Sequence, residues 1–350
     1  MNHDFFQRLG IRYPIIQAPM AGVSTPALAA AVSEAGGLGS LGLGASTVDQ
    51  ARSAIEATRA LTSRPFNVNV FCHAPPQRDA EREAAWIRHL GPLHAELGID
   101  APDSLVPSYA SYLEDDDMAT LLLDLKPAVV SFHFGIPSRE HIRALQAAGI
   151  ITLATATNLQ DAEKVEAAGI DAIVAQGIEA GGHRGDFDPA EVDEGLSTSV
   201  LLRLLVQKTR LPLIAAGGIM DGAGIRAALD QGAVAAQLGT AFVLAPESSA
   251  STAYRLALKS PRAARTRLTR AISGRRARGI VNRMIVHCET DAPEPPDYPV
   301  AYDAAKQIFG AAGKQGVDDL AAHWAGQGVP LAREMPAADL VALLAKEAGF

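Results

Sequence analysis

The residues best placed to do chemistry in this chain begin with a histidine in a glycine-rich run, Glu179-Ala180-Gly181-Gly182-His183-Arg184-Gly185-Asp186. Flanking glycines make a poor site for burying a core histidine and let the ring project over a ligand. Histidine is also the side chain best poised for proton transfer near neutral pH. The competing readings are a surface loop histidine or, with Asp186 and Asp188, a metal site whose ligand set is incomplete. Two small-residue pairs come next, Gly217-Gly218 after Ala216 and Gly239-Thr240 after Gln237-Leu238. Either pair alone is ordinary turn punctuation. Together, at adjacent strand ends, they read as a phosphate site built from backbone N–H groups. The amides Asn69 and Gln176 also fall at expected strand ends. A buried amide without a partner costs about 1–3 kcal/mol. It can donate and accept, which suits the edge of a flavin-like ring or, equally, neighbouring backbone. His133, at another strand end, is either a second active-site group or a satisfied packing histidine.

Tyr298, Tyr302 and Lys306 are spaced i, i+4, i+8, which predicts one side of a helix after the Pro295-Pro296 break. The alternative is a solvated face with two tyrosines packed inward. The chain has 31 Lys+Arg against 39 Asp+Glu, a net charge of −8, so admitting an anion needs a local donor-rich spot. Lysine supplies a cationic donor on a long stem, and Tyr109 and Tyr254 could join it. Other chemistries lack their residues: there is no G-x-S-x-G elbow, no G-x-x-x-x-G-K-[ST] loop and no H-E-x-x-H. Cys72 beside His73 suggests a thiol nucleophile, although a small buried hydrophobe is the usual role of a free cysteine. His73, His89, His94, His141, His287 and His323 read as structural or surface residues.

The elements that must position these groups are legible from helix ends. Gly36, Gly149, Gly169 and Gly232 each close an alanine-rich helical stretch and precede a short apolar run. The residue after a helix favours positive φ, which glycine adopts without steric cost. Thr25-Pro26, Thr47 with Gln50, Ser138, Asn158 and Asp221 read as helix starts. The intervening strands are expected near 15–18, 38–41, 66–70, 129–132, 151–154, 172–175, 213–216 and 235–238. They are continuous apolar runs, as parallel strands buried on both faces require. Such a series of strand-then-helix units predicts an α/β fold, a (β/α)8 TIM barrel over residues 1–245. The competing doubly wound sheet rests on Gly37 to Gly42, a G-x-G-x-x-G that follows a helix where the dinucleotide fingerprint must follow a strand. An inserted segment, about 73–126, carries Trp86, Leu90, Leu93 and Leu97 at helical spacing. Residues 246–336 read as a smaller, mainly helical lid, and an amphipathic helix within 337–350 is expected to return to the barrel.

Composition removes several classes. Hydrophobic residues make up 48% and charged residues 20%, too apolar for a disordered chain. No apolar run suits a membrane span, and the first residues do not resemble a secretory signal. Two cysteines without CxxC spacing point to the cytoplasm and away from a disulfide or zinc scaffold. An acidic chain argues against nucleic acid, and its most basic stretch, Arg262 to Arg283, reads as a solvated helical face.

Four stretches, Pro14 to Met20 (PIIQAPM), Gln176 to Asp186 (QGIEAGGHRGD), Ala215 to Ile219 (AAGGI) and Gln237 to Phe242 (QLGTAF), together resemble the nitronate monooxygenases, formerly 2-nitropropane dioxygenases. Their order and spacing agree from about Arg12 to Phe242, and the similarity points to the bacterial class I branch. The resemblance implies an FMN-containing barrel with a lid. Asn69, Gln176, Gly181, Gly217, Gly218 and the run Gln237, Leu238, Gly239, Thr240 would hold FMN, with Met20 and Gly22 presenting backbone near the ring. His183 would be the catalytic histidine, taking a proton from a nitroalkane or hydrogen-bonding an ionised nitronate. His133, Tyr109, Tyr254, Tyr298, Tyr302 and Lys306 would surround a small anionic substrate such as propionate 3-nitronate. The implied reaction is one-electron oxidation through a flavin semiquinone, with O2 completing conversion to a carbonyl compound and nitrite. The cofactor carries the radical chemistry and the protein supplies placement. FMN-dependent enoyl-acyl-carrier-protein and quinone reductases, which use NAD(P)H, share much of such a site. A non-catalytic flavin-binding barrel is the alternative from another class.

Overall fold

Each expected strand forms where a short apolar run can be buried on both faces, and the helices between them begin and end at their capping residues. The computed structural model describes residues 2–350, with side chains described from Phe5 onward. Its first half runs α1 (Asn2–Leu9), β1 (Ile15–Gln17), α2 (Pro26–Glu34), β2 (Gly39–Gly42), α3 (Val48–Leu61), β3 (Phe66–Phe71), α4 (Ala80–Leu97), α5 (Asp116–Leu125), β4 (Val129–His133), α6 (Arg139–Ala147), β5 (Ile151–Ala156), α7 (Leu159–Ala168) and β6 (Ala172–Gln176). The second half runs β7 (Gly182–His183), α8 (Thr198–Lys208), β8 (Leu213–Ala216), α9 (Gly222–Asp230), β9 (Ala235–Leu238), α10 (Thr240–Val243), α11 (Thr252–Lys259), β10 (Thr266–Thr269), β11 (Ala277–Ile280), α12 (Arg283–His287), α13 (Val300–Lys314) and α14 (Ala337–Glu347). Thr47 and Gln50 form a reciprocal capping box at the start of α3, and Asn158 caps α7 through the Asp161 N–H. Gly169 ends α7 at φ +88°, a conformation any side chain would strain.

Eight parallel strands lie in the order β1-β9-β8-β6-β5-β4-β3-β2. A bridge between Ile16 and Leu38 joins β1 to β2 and brings the sheet round to a barrel. The fold is a TIM barrel. Ile16, Leu38, Leu153, Val174 and Ile214 fill its interior together with Phe5 and Leu9 of α1. Full burial of such side chains stabilises the fold by about 1.5–3 kcal/mol each. Register then levels the strand ends: Gln176 pairs with Ala216, and Ala216 with Gln237. The loops after β6, β8 and β9 therefore leave the barrel side by side. No helix among the described residues is long and apolar enough to cross a membrane.

The helix in the inserted segment, α4, buries Trp86, Leu90, Leu93 and Leu97 against Val300, Ala304 and Ile308 of α13. The mainly helical region after the barrel also carries strands, since β10 and β11 form an antiparallel sheet with β7. Two expectations are corrected. The basic stretch Arg262 to Arg283 is not a solvated helical face. It supplies β10 and β11, and Arg275 and Arg278 are buried where carboxylates or carbonyls accept from them. Finally, α13 starts at Val300, so Tyr298 precedes the helix that carries Tyr302 and Lys306. Pro299 explains this, since a residue before proline is pushed out of the helical region.

Candidate active site

A cavity of about 510 Å3 opens between the barrel's C-terminal strand ends and the 246–336 region. Every residue that the family resemblance assigns to the site lines it, whereas Cys72, His73, Asp186 and Asp188 do not. From the barrel come Met20, Gly22, Asn69, His133, Gln176, Gly181, His183, Gly217, Gly218, Gln237, Leu238, Gly239 and Thr240. From outside the barrel come Tyr109, Tyr254, Tyr298, Tyr302 and Lys306.

The floor is bare peptide. Gly217 and Gly218 take φ values of +124° and +71° at the end of β8. Gly239 starts the short α10 with no side-chain cap. Among the described residues nothing accepts a hydrogen bond from the N–H groups of Gly218, Gly239 or Thr240. Gly181 is packed so tightly that a Cβ would stand 2.4 Å from the Gly326 nitrogen. Asn69 donates its amide N–H to the Ser131 carbonyl at 3.0 Å and hydroxyl at 2.9 Å, which leaves the amide oxygen without a donor among the described residues.

The histidine run is held as a strand and not as a free loop: Gly182 pairs with Arg278 and His183 with Ala277. Gln176 donates to the His183 carbonyl at 3.0 Å and accepts from the Gly185 N–H at 2.8 Å. His133 Nε2 lies 3.2 Å from the same carbonyl, and its Nδ1 3.1 Å from the Thr155 hydroxyl. A carbonyl only accepts, so His133 carries its proton on Nε2 and accepts from Thr155 on Nδ1. Both its nitrogens are bonded within the protein, Nε2 to the His183 carbonyl. The expected hydroxyl of Tyr254 is also committed, donating to the Trp324 carbonyl.

Behind this strand stands a buried ionic layer. Arg184, 1% exposed, pairs bidentately with Asp193 at 2.9 Å. Arg276 pairs with Asp186, and Arg275 donates to the Asp186 carbonyl at 2.7 Å with its guanidinium 4.6 Å over the Phe134 ring. These contacts occupy Asp186, the carboxylate nearest His183 in sequence. Burial, with His133 and Arg275 adding to it, pushes His183 down to about 3. Burial likewise pushes His133 down to about 4, against the opposing hydrogen bond to the His183 carbonyl. Both imidazoles are neutral at pH 7.

The roof is aromatic and donor-rich. Tyr298, Tyr302 and Trp324 stand 5.5, 6.2 and 5.3 Å from the His183 ring. The Tyr298 hydroxyl is buried and has no partner among the described residues. Lys306 sits at the outer edge with Nζ 4.0 Å over the Tyr109 ring.

Residues 3–347 match the family model described as nitronate monooxygenase. The chain belongs to the nitronate monooxygenase family. It is 57% identical to a nitronate monooxygenase of Pseudomonas aeruginosa, covering 99% of each chain. It is 58% identical to one from Paraburkholderia phytofirmans, over 97% of this chain and 93% of that one. A solved nitroalkane oxidase from Streptomyces ansochromogenes is similar at TM-score 0.91 and 44% identity, covering 98% and 97% of the two chains. FabK from Thermotoga maritima is similar at TM-score 0.74 and 30% identity, covering 99% and 95%. As a member of the nitronate monooxygenase family the chain is an oxidoreductase.

The residues that sequence reasoning missed are those joined to the site only by folding. Trp324, Gly326 and Gly328 all line the cavity. Ser131 sits on an expected barrel strand, Phe71 and Thr155 lie one residue past the expected ends of theirs, and all three also line it. Their one signal was position near a strand's C-terminal end.

Proposed function

We propose that the cavity binds FMN and that the enzyme oxidises alkyl nitronates, propionate 3-nitronate among them, with O2 to a carbonyl compound and nitrite. The observation that carries this reading is a polarity arranged for two anions. Gly218, Gly239 and Thr240, whose peptide N–H groups have no partner among the described residues, line the cavity from the barrel, and Tyr298, with its unpartnered hydroxyl, and Lys306 line it from the other side. The barrel groups suit a phosphate, which loops after the last two strands of such barrels commonly hold. The volume, about 510 Å3, lies within the usual range for sites that enclose a cofactor-sized ligand. Asn69, with its free amide oxygen, and the Met20–Gly22 backbone suit the edge of a flavin ring. Bound FMN would supply the one-electron redox chemistry.

The chain's own residues have separate tasks in this reading. Gln176 and His133 fix the His183 carbonyl and so hold the imidazole in place. His183, neutral because it is buried, accepts the carbon proton of a neutral nitroalkane, the step that yields the nitronate. The unpartnered Tyr298 hydroxyl donates to a nitronate oxygen, and Lys306 meets a second charge on the substrate tail. Tyr302, Trp324 and Tyr109 exclude water from the space between them. Residues 246–336 with α4 act as the lid.

Anaerobic mixing of the purified protein with propionate 3-nitronate, followed by its visible spectrum, tests the reading. Substrate-dependent reduction of a bound flavin, identified as FMN in the supernatant after heat denaturation, is the expected result. FAD, or no flavin in a folded preparation, overturns the cofactor assignment. Bleaching by NADH or NADPH with no response to nitronate moves the function to the reductases that share the fold.

A further inference from the structure

Ser273 belongs to none of the motifs above. It lies in the turn between β10 and β11 and is completely buried. Its Oγ has three polar neighbours: His183 Nε2 at 2.8 Å, the Arg275 carbonyl at 3.2 Å and the Arg275 N–H at 3.4 Å. A serine hydroxyl has one proton and two lone pairs. The Arg275 N–H can only donate, so it takes one lone pair. The Arg275 carbonyl can only accept, and no other described group donates to it, so the hydroxyl proton goes there. The remaining lone pair must accept, and the group left to donate is His183 Nε2. The opposite assignment leaves a buried carbonyl without a donor, which proteins rarely tolerate.

We infer that Ser273 is the positioning residue that holds His183 as its Nε2–H tautomer and so presents an unprotonated Nδ1 to the cavity. Nδ1 has no partner among the described residues, and the imidazole lines the cavity. Phe134 meets the ring edge-on at 5.6 Å, with Tyr298 and Trp324 packed at 5.5 and 5.3 Å. The strand pairing of His183 with Ala277 fixes the backbone from the same direction. In a triad-like arrangement, selecting the tautomer is the work of the group behind the histidine. Here a neutral hydroxyl does it, so the histidine gains no counter-charge and stays a neutral acceptor. The tautomer follows from the hydrogen-bond geometry alone. Its catalytic consequence rests on the nitronate reading: Nδ1 is placed to take a carbon proton from a neutral nitroalkane, whereas an ionised nitronate must find its donors at Tyr298 and Lys306.

The test is two-bond 1H–15N correlation spectroscopy of the flavin-loaded protein carrying 15N-labelled histidine, with His183→Gln used to assign the ring. The expected spectrum of the wild type shows a protonated Nε2 and a bare Nδ1 at pH 7. A protonated Nδ1 with bare Nε2, or an imidazolium, overturns the inference whatever the substrate proves to be. In Ser273→Ala the bare-Nδ1 population should fall. Turnover should drop more on nitroethane than on ethylnitronate, by about two- to tenfold for one lost hydrogen bond. An unchanged tautomer in folded Ser273→Ala removes Ser273 from the role. Should that variant fail to fold, the wild-type spectrum still decides the tautomer.

Discussion

Replacing Lys306 with methionine separates a substrate-binding lysine from a surface one. Its Nζ lies 4.0 Å over the Tyr109 ring and 5.2 Å over that of Tyr302, on the cavity's edge. No carboxylate forms an ion pair with it among the described residues, and burial lowers its pKa against the opposing pull of Asp303. Two unit charges 4 Å apart interact by about 1 kcal/mol in water and about 4 at a protein surface. Lys306 is exposed overall, so solvent screening keeps its contribution near the lower bound. About 1.5 kcal/mol for a charge-assisted hydrogen bond is roughly tenfold in affinity. Steady-state kinetics should therefore show KM for propionate 3-nitronate rising about tenfold in Lys306→Met, with little change for propyl-1-nitronate, which lacks the carboxylate. The difference should shrink at high salt, because screening shortens from about 30 Å at 0.01 M to 3 Å at 1 M. Lys306→Arg should retain most of the affinity. Equal effects on both substrates, or none on either, would refute the role given to the ammonium.

His183→Ala should keep its flavin but lose about 10²–10⁴-fold turnover on a neutral nitroalkane, and less on a preformed nitronate. Equal losses on the two substrates would argue against proton abstraction. Tyr298→Phe should move stability and catalysis in opposite directions. Removing a buried hydroxyl with no partner should leave the melting temperature unchanged or higher, while KM for nitronates rises; a marked drop in melting temperature would show that the hydroxyl is satisfied in the resting protein. Acid should destabilise the fold early. Burial chiefly holds His73, His133 and His323 at about 4 and His183 at about 3. The unfolded chain binds protons at these sites more readily, so the stability is present above pH 6.5 and is lost as pH falls towards 4. At pH 5.5 each site costs about 1.2 kcal/mol relative to pH 7. Calorimetry between pH 8 and 5 checks this, and a flat melting temperature across that window would count against buried neutral histidines.

The barrel was readable because its signals are local. A cap, an alanine-rich turn, a glycine at positive φ and an apolar run are decided within a dozen residues, and Thr47, Gly169 and Leu213–Ala216 each behave as their immediate neighbours require. The strand-end residues are nearly as local, since strand register alone levels Gln176, Ala216 and Gln237. What escaped is long-range pairing of charge. From Arg262 to Arg283 the sequence shows a basic run, and a basic run ordinarily faces water. Only the fold lays Arg275 and Arg276 against Asp186, some ninety residues away, and exchanges solvation for ion pairs. The same distance separates Ser273 from His183. The glycine-rich stretch therefore misleads in one respect. Its glycines suggest freedom, but the backbone there is a strand edge paired with β11 and braced by Gln176 and His133. Gly181 is needed because the backbone of Ala325 and Gly326 occupies the space a side chain would take, and Gly182 because its φ of +75° would strain any other residue. A histidine presented by rigid backbone, with one ring nitrogen held by a neutral hydroxyl and cations packed behind it, is built to remain uncharged. That property belongs to the wall of the site as a whole, and no window of the sequence contains enough of that wall to show it.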